Sequence, residues 1–366
     1  MHRYLRNLDW ILIGAIGLLL VIGLVLIASA THSYALATGK MVHVQRQTLF
    51  MVVDIILVVL SLRVDYRSLK QVAVPLYVAT VLLLVSVMLF GVSLLGAQRW
   101  LKIGPLAFQP SEFTKAFMII GLAAYLDNIS YSLNSFVDYL KPLVVVLIPF
   151  LLVMKQPDLG TALVFLAISF SMFLMCGFRM KWTAVCGLLG GLSLPLVWEV
   201  LHEYQRNRIR VFLNPELDPF GAGYHVIQSK IAIGSGLLLG KGWLQGTQSQ
   251  LNFLPENHTD FIFAVAGEEF GFAGCFLILL LYLVIIWRGM SIALNAEDDF
   301  GTLLAVGITG MFFFQVLVNV GMTIGIMPVT GIPLPFLSYG VSSLTTNMLL
   351  AGILLNINIQ RQQLQF

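Results

Sequence analysis

Long apolar runs separated by short polar connections dominate this chain. They fall at roughly 10–30, 47–62, 72–95, 113–126, 142–154, 158–177, 182–201, 260–287, 302–325 and 339–359. An α-helix rises 1.5 Å per residue, so about 20 apolar residues cross ~30 Å of hydrocarbon. The pattern predicts an all-α polytopic membrane protein, with about ten transmembrane helices in a single transmembrane domain over 1–366. The fifth and sixth runs are short and meet at Lys155-Gln156-Pro157-Asp158, where the proline predicts a tight turn or a broken helix. The stretch 202–259 is the one long polar connection, and its 227–233 part reads as a short amphipathic helix at the interface.

Composition agrees with the pattern. The chain is 58% hydrophobic and 11% charged, against roughly 25% charged in soluble domains. The first run exceeds the ~7–15 residues of a signal-peptide core, so it reads as the first span despite the basic residues before it. A net charge of +3, without a dense basic run, gives no reason to expect nucleic acid. With the N-terminus inside, the cytoplasmic segments hold Arg3, Arg6, Arg63, Arg67, Lys70, Lys141, Arg179, Lys181, Arg288 and Arg361. The short outer segments hold Lys40, Arg46, Arg99, Lys102 and Lys155. Ten against five places both termini in the cytoplasm and the 202–259 loop outside. Cys176, Cys186 and Cys275 lie in or beside apolar runs with no paired spacing, and read as small buried hydrophobes.

Candidate chemistry sits in the polar residues that interrupt this pattern. Charge at mid-membrane costs ~2.5–3.5 kcal/mol per residue, so it marks a cavity, a pathway or a buried partner. Asp260 opens the eighth run beside His258 and Thr259. It reads as a general base or a metal ligand, or else as a helix N-cap worth ~1 kcal/mol, a place Thr259 would fill equally. Glu268 and Glu269 lie ~12–14 Å deeper and are rotated about 80° and 180° from Asp260, so they do not share its face. They read as a charged cavity or proton path, or as structural ion pairs. Glu112 and Lys115 share one helix face at the start of the fourth run, behind Pro110 and Ser111. They read as a local ion pair, or Lys115 holds a diphosphate or pairs with Glu269.

Asp158 opens the sixth run, as a cap or as a polar group of the outer side. Arg206, Arg208 and Arg210 alternate in the outer loop, and their fork-shaped donors suit phosphate oxygens or lipid head groups. The glycine-rich stretch 234–242, with Lys241, is no nucleotide phosphate loop: Ser or Thr does not follow Gly-Lys, and no strand precedes it. It reads as a loop of close approach at the bilayer surface. Pro328, Pro333 and Pro335 make 327–336 irregular. Irregular backbone at membrane depth is tolerated only against protein or a cavity, so this segment is expected to wall a cavity near Asp260.

Five stretches, taken in order, resemble one family. They are Gln109-Pro110-Ser111-Glu112 with Lys115; Gln156-Pro157-Asp158-Leu159-Gly160-Thr161; Gly223-Tyr224 through Gln228-Ser229 to Gly240-Lys241-Gly242; Pro255-Glu256-Asn257-His258-Thr259-Asp260-Phe261-Ile262-Phe263; and Gly331-Ile332-Pro333-Leu334-Pro335-Phe336 to Ser338-Tyr339-Gly340. The chain is similar in these to the SEDS family of bacterial cell-wall polymerases, RodA, FtsW and SpoVE. The start Leu8-Asp9-Trp10 and the stretch 242–250 look more like RodA than FtsW. Leu237 and Val341 depart from the pattern, each replacing a customary glycine, which puts left-handed backbone there in doubt.

The resemblance implies a peptidoglycan glycosyltransferase that polymerises lipid II outside the bacterial cytoplasmic (inner) membrane, for cell elongation and rod shape. Asp260 matches the family's essential aspartate. Substrate contacts are expected at Glu112, Lys115, Asp158, Arg208, Arg210, Lys241 and His258, with Glu268 and Glu269 in support. The expected partners are a class B penicillin-binding protein, supplying the transpeptidase, and further elongation-complex proteins. No resident cofactor is expected, and a divalent cation, magnesium or manganese, is a candidate for offsetting diphosphate charge; the metal ligands stay open. The alternative is a flippase of the lipid-linked precursor, because intramembrane Lys and Glu with broken helices also describe a transporter. A non-catalytic scaffold would leave the carboxylates unexplained.

Overall fold

The structure, a computed structural model, describes residues 7–94, 97–103, 106–129, 136–177, 199, 203–219 and 221–363. The helices are α1 (Trp10–Ala30), α2 (His32–Thr38), α3 (Val42–Ser61), α4 (Ser68–Gln71), α5 (Ala73–Phe90), α6 (Pro110–Ile129), α7 (Phe136–Lys155), α8 (Leu159–Met175), α9 (Glu203–Leu213), α10 (Ala222–Ser235), α11 (Thr247–Gln250), α12 (Ile262–Leu294), α13 (Asp299–Ile324) and α14 (Val341–Gln363). Nine of the ten apolar runs fall on one of these helices. The 182–201 run, apart from residue 199, lies outside the described residues, as do Arg3, Arg6, Arg179, Lys181 and Cys186. Among the described residues six helices are long and apolar enough to cross a membrane: α1, α3, α5, α12, α13 and α14. The fold is an all-α polytopic membrane fold.

Two local features depart from the sequence reading. The third run stops at Phe90, where Gly91 turns extended (φ −66°, ψ 148°) and ends the helix. A small antiparallel sheet follows, β1 (Val92–Leu94), β2 (Ala97–Ile103) and β3 (Leu106–Phe108). Val92 pairs with Trp100 and Leu101 with Phe108. Arg99 on β2 donates to the carbonyls of Gln156 and Pro157, which ties the sheet to the α7–α8 turn.

The second departure is in α12, where Gly271 takes a left-handed, non-helical conformation (φ 62°, ψ −160°). A break inside a span frees backbone groups that no water can satisfy, so they need protein partners. The glycine-rich loop supplies them. Phe272 N–H donates to Leu237 O at 2.8 Å and Ala273 N–H to Leu238 O at 3.0 Å. In return Lys241 N–H and Gly242 N–H donate to the Glu268 and Glu269 carbonyls, both at 3.0 Å. The close-approach loop thus meets the kink of a spanning helix. Leu237 keeps a left-handed backbone (φ 50°) despite replacing a glycine.

The chain forms two compact units, each assembled from three stretches. The first comprises 1–62, 207–288 and 312–352. In it Asp9 caps α1, accepting from Leu12 N–H at 3.0 Å and from Arg288 at 2.7 Å, so the start of α1 is fixed to α12. The second comprises 63–206, 289–311 and 353–366. There Asp298 accepts from Arg67 at 2.9 Å and Tyr66 at 3.0 Å, and Asn356 receives the Tyr66 N–H.

Candidate functional site

Asp260 lies in the first unit, in the turn that leads into α12. The N–H groups of Asp260 and Phe261 both donate to Glu256 O, at 3.1 and 3.3 Å. Phe261 supplies the carbonyl that Ala264 and Val265 bond, so Phe261, not Asp260 or Thr259, holds the cap position. Thr259 turns its hydroxyl back to Glu256 instead. The cap reading of Asp260 is therefore corrected by one residue of helix phase. Beneath the turn, Phe261 and Ala264 pack with Ala232 and Leu254, with Ile233 and Val329 at the edge. This small core anchors the turn on α10 and leaves Asp260 half-buried.

The proline-rich segment between α13 and α14 closes over the same turn. Asn319 Nδ2 donates to Asp260 O at 2.9 Å and to Ile332 O at 2.7 Å. Ser338 Oγ donates to Thr259 O at 2.6 Å, and Tyr339 N–H to His258 O at 2.9 Å. A Cβ on Gly331 would stand 3.3 Å from Asp260 Oδ2, so the carboxylate faces this segment. Tyr282 of α12 holds it from below, donating to Pro335 O at 2.6 Å. Three fixed prolines keep the segment irregular, and side-chain donors satisfy its carbonyls.

Rings gather beside the aspartate. His258 stands 5.1 Å from His43 and 5.5 Å from Tyr339, centroid to centroid. His43 meets Tyr339 and Tyr34, each at 5.1 Å. Burial pushes the His258 imidazole below its ordinary value, with Glu256 opposing. Burial does the same to His225, which stacks on Phe261 at 5.9 Å. On α9, Arg208 donates to Val329 O at 3.0 Å, at the edge of the small core. Arg210 follows on the same helix.

Glu268 and Glu269 act as anchors for backbone and loop. Glu268 is fully buried and accepts from Lys241 Nζ at 2.8 Å, Gln248 N–H at 2.9 Å, and Ser249 N–H, Ser249 Oγ and Thr247 Oγ1 at 3.2 Å. Its charge is spread over five donors that hold the 241–249 loop. Lys241, expected as a substrate contact, spends its ammonium on Glu268. Glu269 accepts the Ser29 hydroxyl at the end of α1, and Gln250 Nε2 donates to Ser29 O and Oγ at 3.0 Å. Asn257 then bonds Ala30 O at 3.2 Å. The chain of contacts runs from the α12 kink to the residue before His258.

The remaining candidates belong to the second unit. Lys115 and Glu112 form a buried ion pair at 2.7 Å on α6, so the lysine finds its partner one turn away and not at Glu269. Asp158 caps α8 through Thr161 N–H at 3.2 Å and Thr161 Oγ1 at 2.9 Å, with Arg99 at 3.7 Å. Among the described residues no group of three or more His, Cys, Asp or Glu is placed to hold a metal. Cys176 and Cys275 are free thiols. Sequence reasoning missed Asn319, whose amide bridges the two segments around Asp260; a lone Asn in an apolar run was the available signal.

The model of the cell cycle protein family of FtsW, RodA and SpoVE matches residues 9–363. The chain is 41% identical over 348 residues to peptidoglycan glycosyltransferase MrdB of Escherichia coli, covering 95% of this chain and 94% of that protein. It is 40% identical to stage V sporulation protein E of Bacillus subtilis, covering 96% of each. Among solved structures, one described as a peptidoglycan synthase complex that coordinates polymerization and crosslinking aligns with TM-score 0.81 and 32% identity, over 97% of this chain and 99% of that one. Thermus thermophilus rod shape determining protein RodA aligns with TM-score 0.71 and 31% identity over 98% of each chain, and has also been solved with an aspartate changed to alanine.

Proposed function

The chain belongs to the FtsW, RodA and SpoVE family, and from that premise we infer that it is a peptidoglycan glycosyltransferase of the bacterial inner membrane, serving cell elongation. One observation carries the chemical reading: a half-buried carboxylate at the mouth of a span, one residue before the first helix carbonyl and facing a segment rigid with prolines.

The acceptor is the 4-hydroxyl of a lipid II sugar, and the donor is a glycan chain on undecaprenyl diphosphate. An α-linked donor giving a β-linked product requires one inversion, and an inverting transfer needs one carboxylate base beside the attacking oxygen. Asp260 takes that proton as the oxygen attacks the anomeric carbon, and the carbon–oxygen bond to the diphosphate breaks. The diphosphate leaves unprotonated, so no second carboxylic acid is needed. Its charge is offset by fixed donors. We assign this to Arg208 and Arg210, guanidinium forks suited to phosphate, on a helix whose Arg208 is anchored to Val329. His258, held against His43 and Tyr339, contacts the sugar beside the base. Lys241, Glu268 and Glu269 support the loop. Glu112, Lys115 and Asp158 are proposed as further substrate contacts of the second unit. Magnesium or manganese remains a candidate for offsetting the diphosphate charge; no three-ligand cluster stands among the described residues, and no step is routed through such an ion. Beyond Glu269, α12 carries no Asp, Glu, Lys, Arg or His until Arg288, which favours an enzyme over a flippase along this helix.

The partner is a class B penicillin-binding protein that crosslinks the strands. The test is polymerisation of lipid II by the purified pair. Loss of glycan in Asp260→Asn, with an unchanged unfolding temperature, supports the base; a normal rate refutes it.

A further inference from the structure

A buried amide stands between the base and the wall it faces. Asn319, near the end of α13, is 0% exposed. Its Nδ2 donates to two carbonyls at once, Asp260 O at 2.9 Å and Ile332 O at 2.7 Å. A primary amide carries two N–H groups on one nitrogen, so both bonds form together. They also decide which way the amide points, because turned over it would aim its oxygen at two carbonyl oxygens. Asn319 Oδ1 takes no hydrogen bond, so the nitrogen fixes the side chain.

The two carbonyls belong to residues on either side of the reacting carboxylate. Asp260 is one. Ile332 is the other, next to Gly331, where a Cβ would stand 3.3 Å from Asp260 Oδ2. One nitrogen therefore joins the main chain of the base to the main chain of its wall. The peptide group before Asp260 is held as well, its N–H donating to Glu256 O at 3.1 Å. With the peptide groups on both sides anchored, the carboxylate is left with its side-chain torsions only. The ties from Ser338 Oγ to Thr259 O and from Tyr339 N–H to His258 O act on the two residues before the base. The Asn319 tie acts on the base itself.

We propose that Asn319 is a positioning residue of the glycosyl transfer. It sets the separation of the Asp260 carboxylate from the 331–332 wall, and so where the acceptor hydroxyl meets its base. This rests on Asp260 being that base. A base must come within about 3.2 Å of the oxygen it deprotonates, and a misplacement of ~1 Å costs on the order of 100-fold in rate. The effect belongs to kcat. Asn319 bonds main chain and not the donor's diphosphate, so KM stays near the parent value.

The test is kcat and KM for lipid II, measured on the full-length protein purified with its penicillin-binding partner, well below the unfolding midpoint. Asn319→Leu should lower kcat by ~30-fold or more and change KM by less than about threefold. Asn319→Ser serves if the leucine variant does not fold. Its hydroxyl can bond a carbonyl of its own helix, which leaves the tie unmade without stranding a polar group, and kcat should fall at least ~10-fold. Gln315→Leu is the control. It lies one turn earlier on α13, is 0% exposed, and neither polar atom of its amide has a hydrogen-bond partner, so kcat should be unchanged. A parent kcat in folded Asn319→Leu or Asn319→Ser, a loss carried by KM, or an equal loss in Gln315→Leu overturns the proposal and leaves Asp260 as base. A parent rate in Asp260→Asn overturns both.

Discussion

Substituting Gly240 by Ala tests how the α12 kink is held. Gly240 has φ 81°, and a Cβ there would fall on the Glu269 carbonyl, which is backbone and cannot swing away. An alanine forced into the left-handed region costs about 1–2 kcal/mol before any clash. Relieving the clash moves the loop off the helix and breaks four hydrogen bonds, those of Lys241, Gly242, Phe272 and Ala273, all between 2.8 and 3.0 Å. At a net ~0.5–1.5 kcal/mol each they sum to roughly 2–6 kcal/mol. The expected loss is at least ~3 kcal/mol, or a midpoint lowered by ~6 °C or more. Gly234→Ala, six residues earlier, is the control: nothing lies within 4 Å of a Cβ there, and it falls within α10. Alanine should stabilise that helix by up to ~1 kcal/mol. Differential scanning of both purified variants decides the matter. If Gly240→Ala and Gly234→Ala unfold within ~1 °C of each other, the loop does not hold the kink.

Other consequences are as direct. Glu268→Ala strands Lys241 and four further donors, and should cost ~3–5 kcal/mol in unfolding free energy, with Glu268→Gln milder. For the Glu112–Lys115 pair, Glu112→Leu or Lys115→Met alone should destabilise by about 3–5 kcal/mol, while the double variant recovers most of the loss; additive losses in a double-mutant cycle would contradict a buried pair. Burial lowers the pKa of His258 and His225, so below about pH 6.5 the unfolded chain binds more protons than the folded one. Stability should thus be full above that pH and fall as pH drops below it, with a flatter profile in the His225→Gln, His258→Gln double variant; an unchanged slope in that variant would discount both histidines.

The spans were legible because hydrocarbon leaves a helix little choice of composition. The motifs around Asp260 were legible because His258, Thr259 and Asp260 break an apolar pattern at its edge. The α12 kink was not, since Gly271 is one glycine among many, and only the loop 30 residues earlier shows why it can break there. The sheet at 92–108 hid for a related reason: its apolar start continues the third run, and Gly91 alone marks the change. Lys241 was expected as a substrate contact because its buried partner, Glu268, lies 27 residues away.

The decisive measurement is the rate at which the protein, purified with its penicillin-binding partner and given lipid II, makes glycan before and after Asp260→Asn. The substitution keeps the shape of the side chain and removes only the base. It is predicted to abolish strand formation, with or without added magnesium, while the unfolding midpoint stays at the parent value. Long strands made at the parent rate by Asp260→Asn would contradict the central claim.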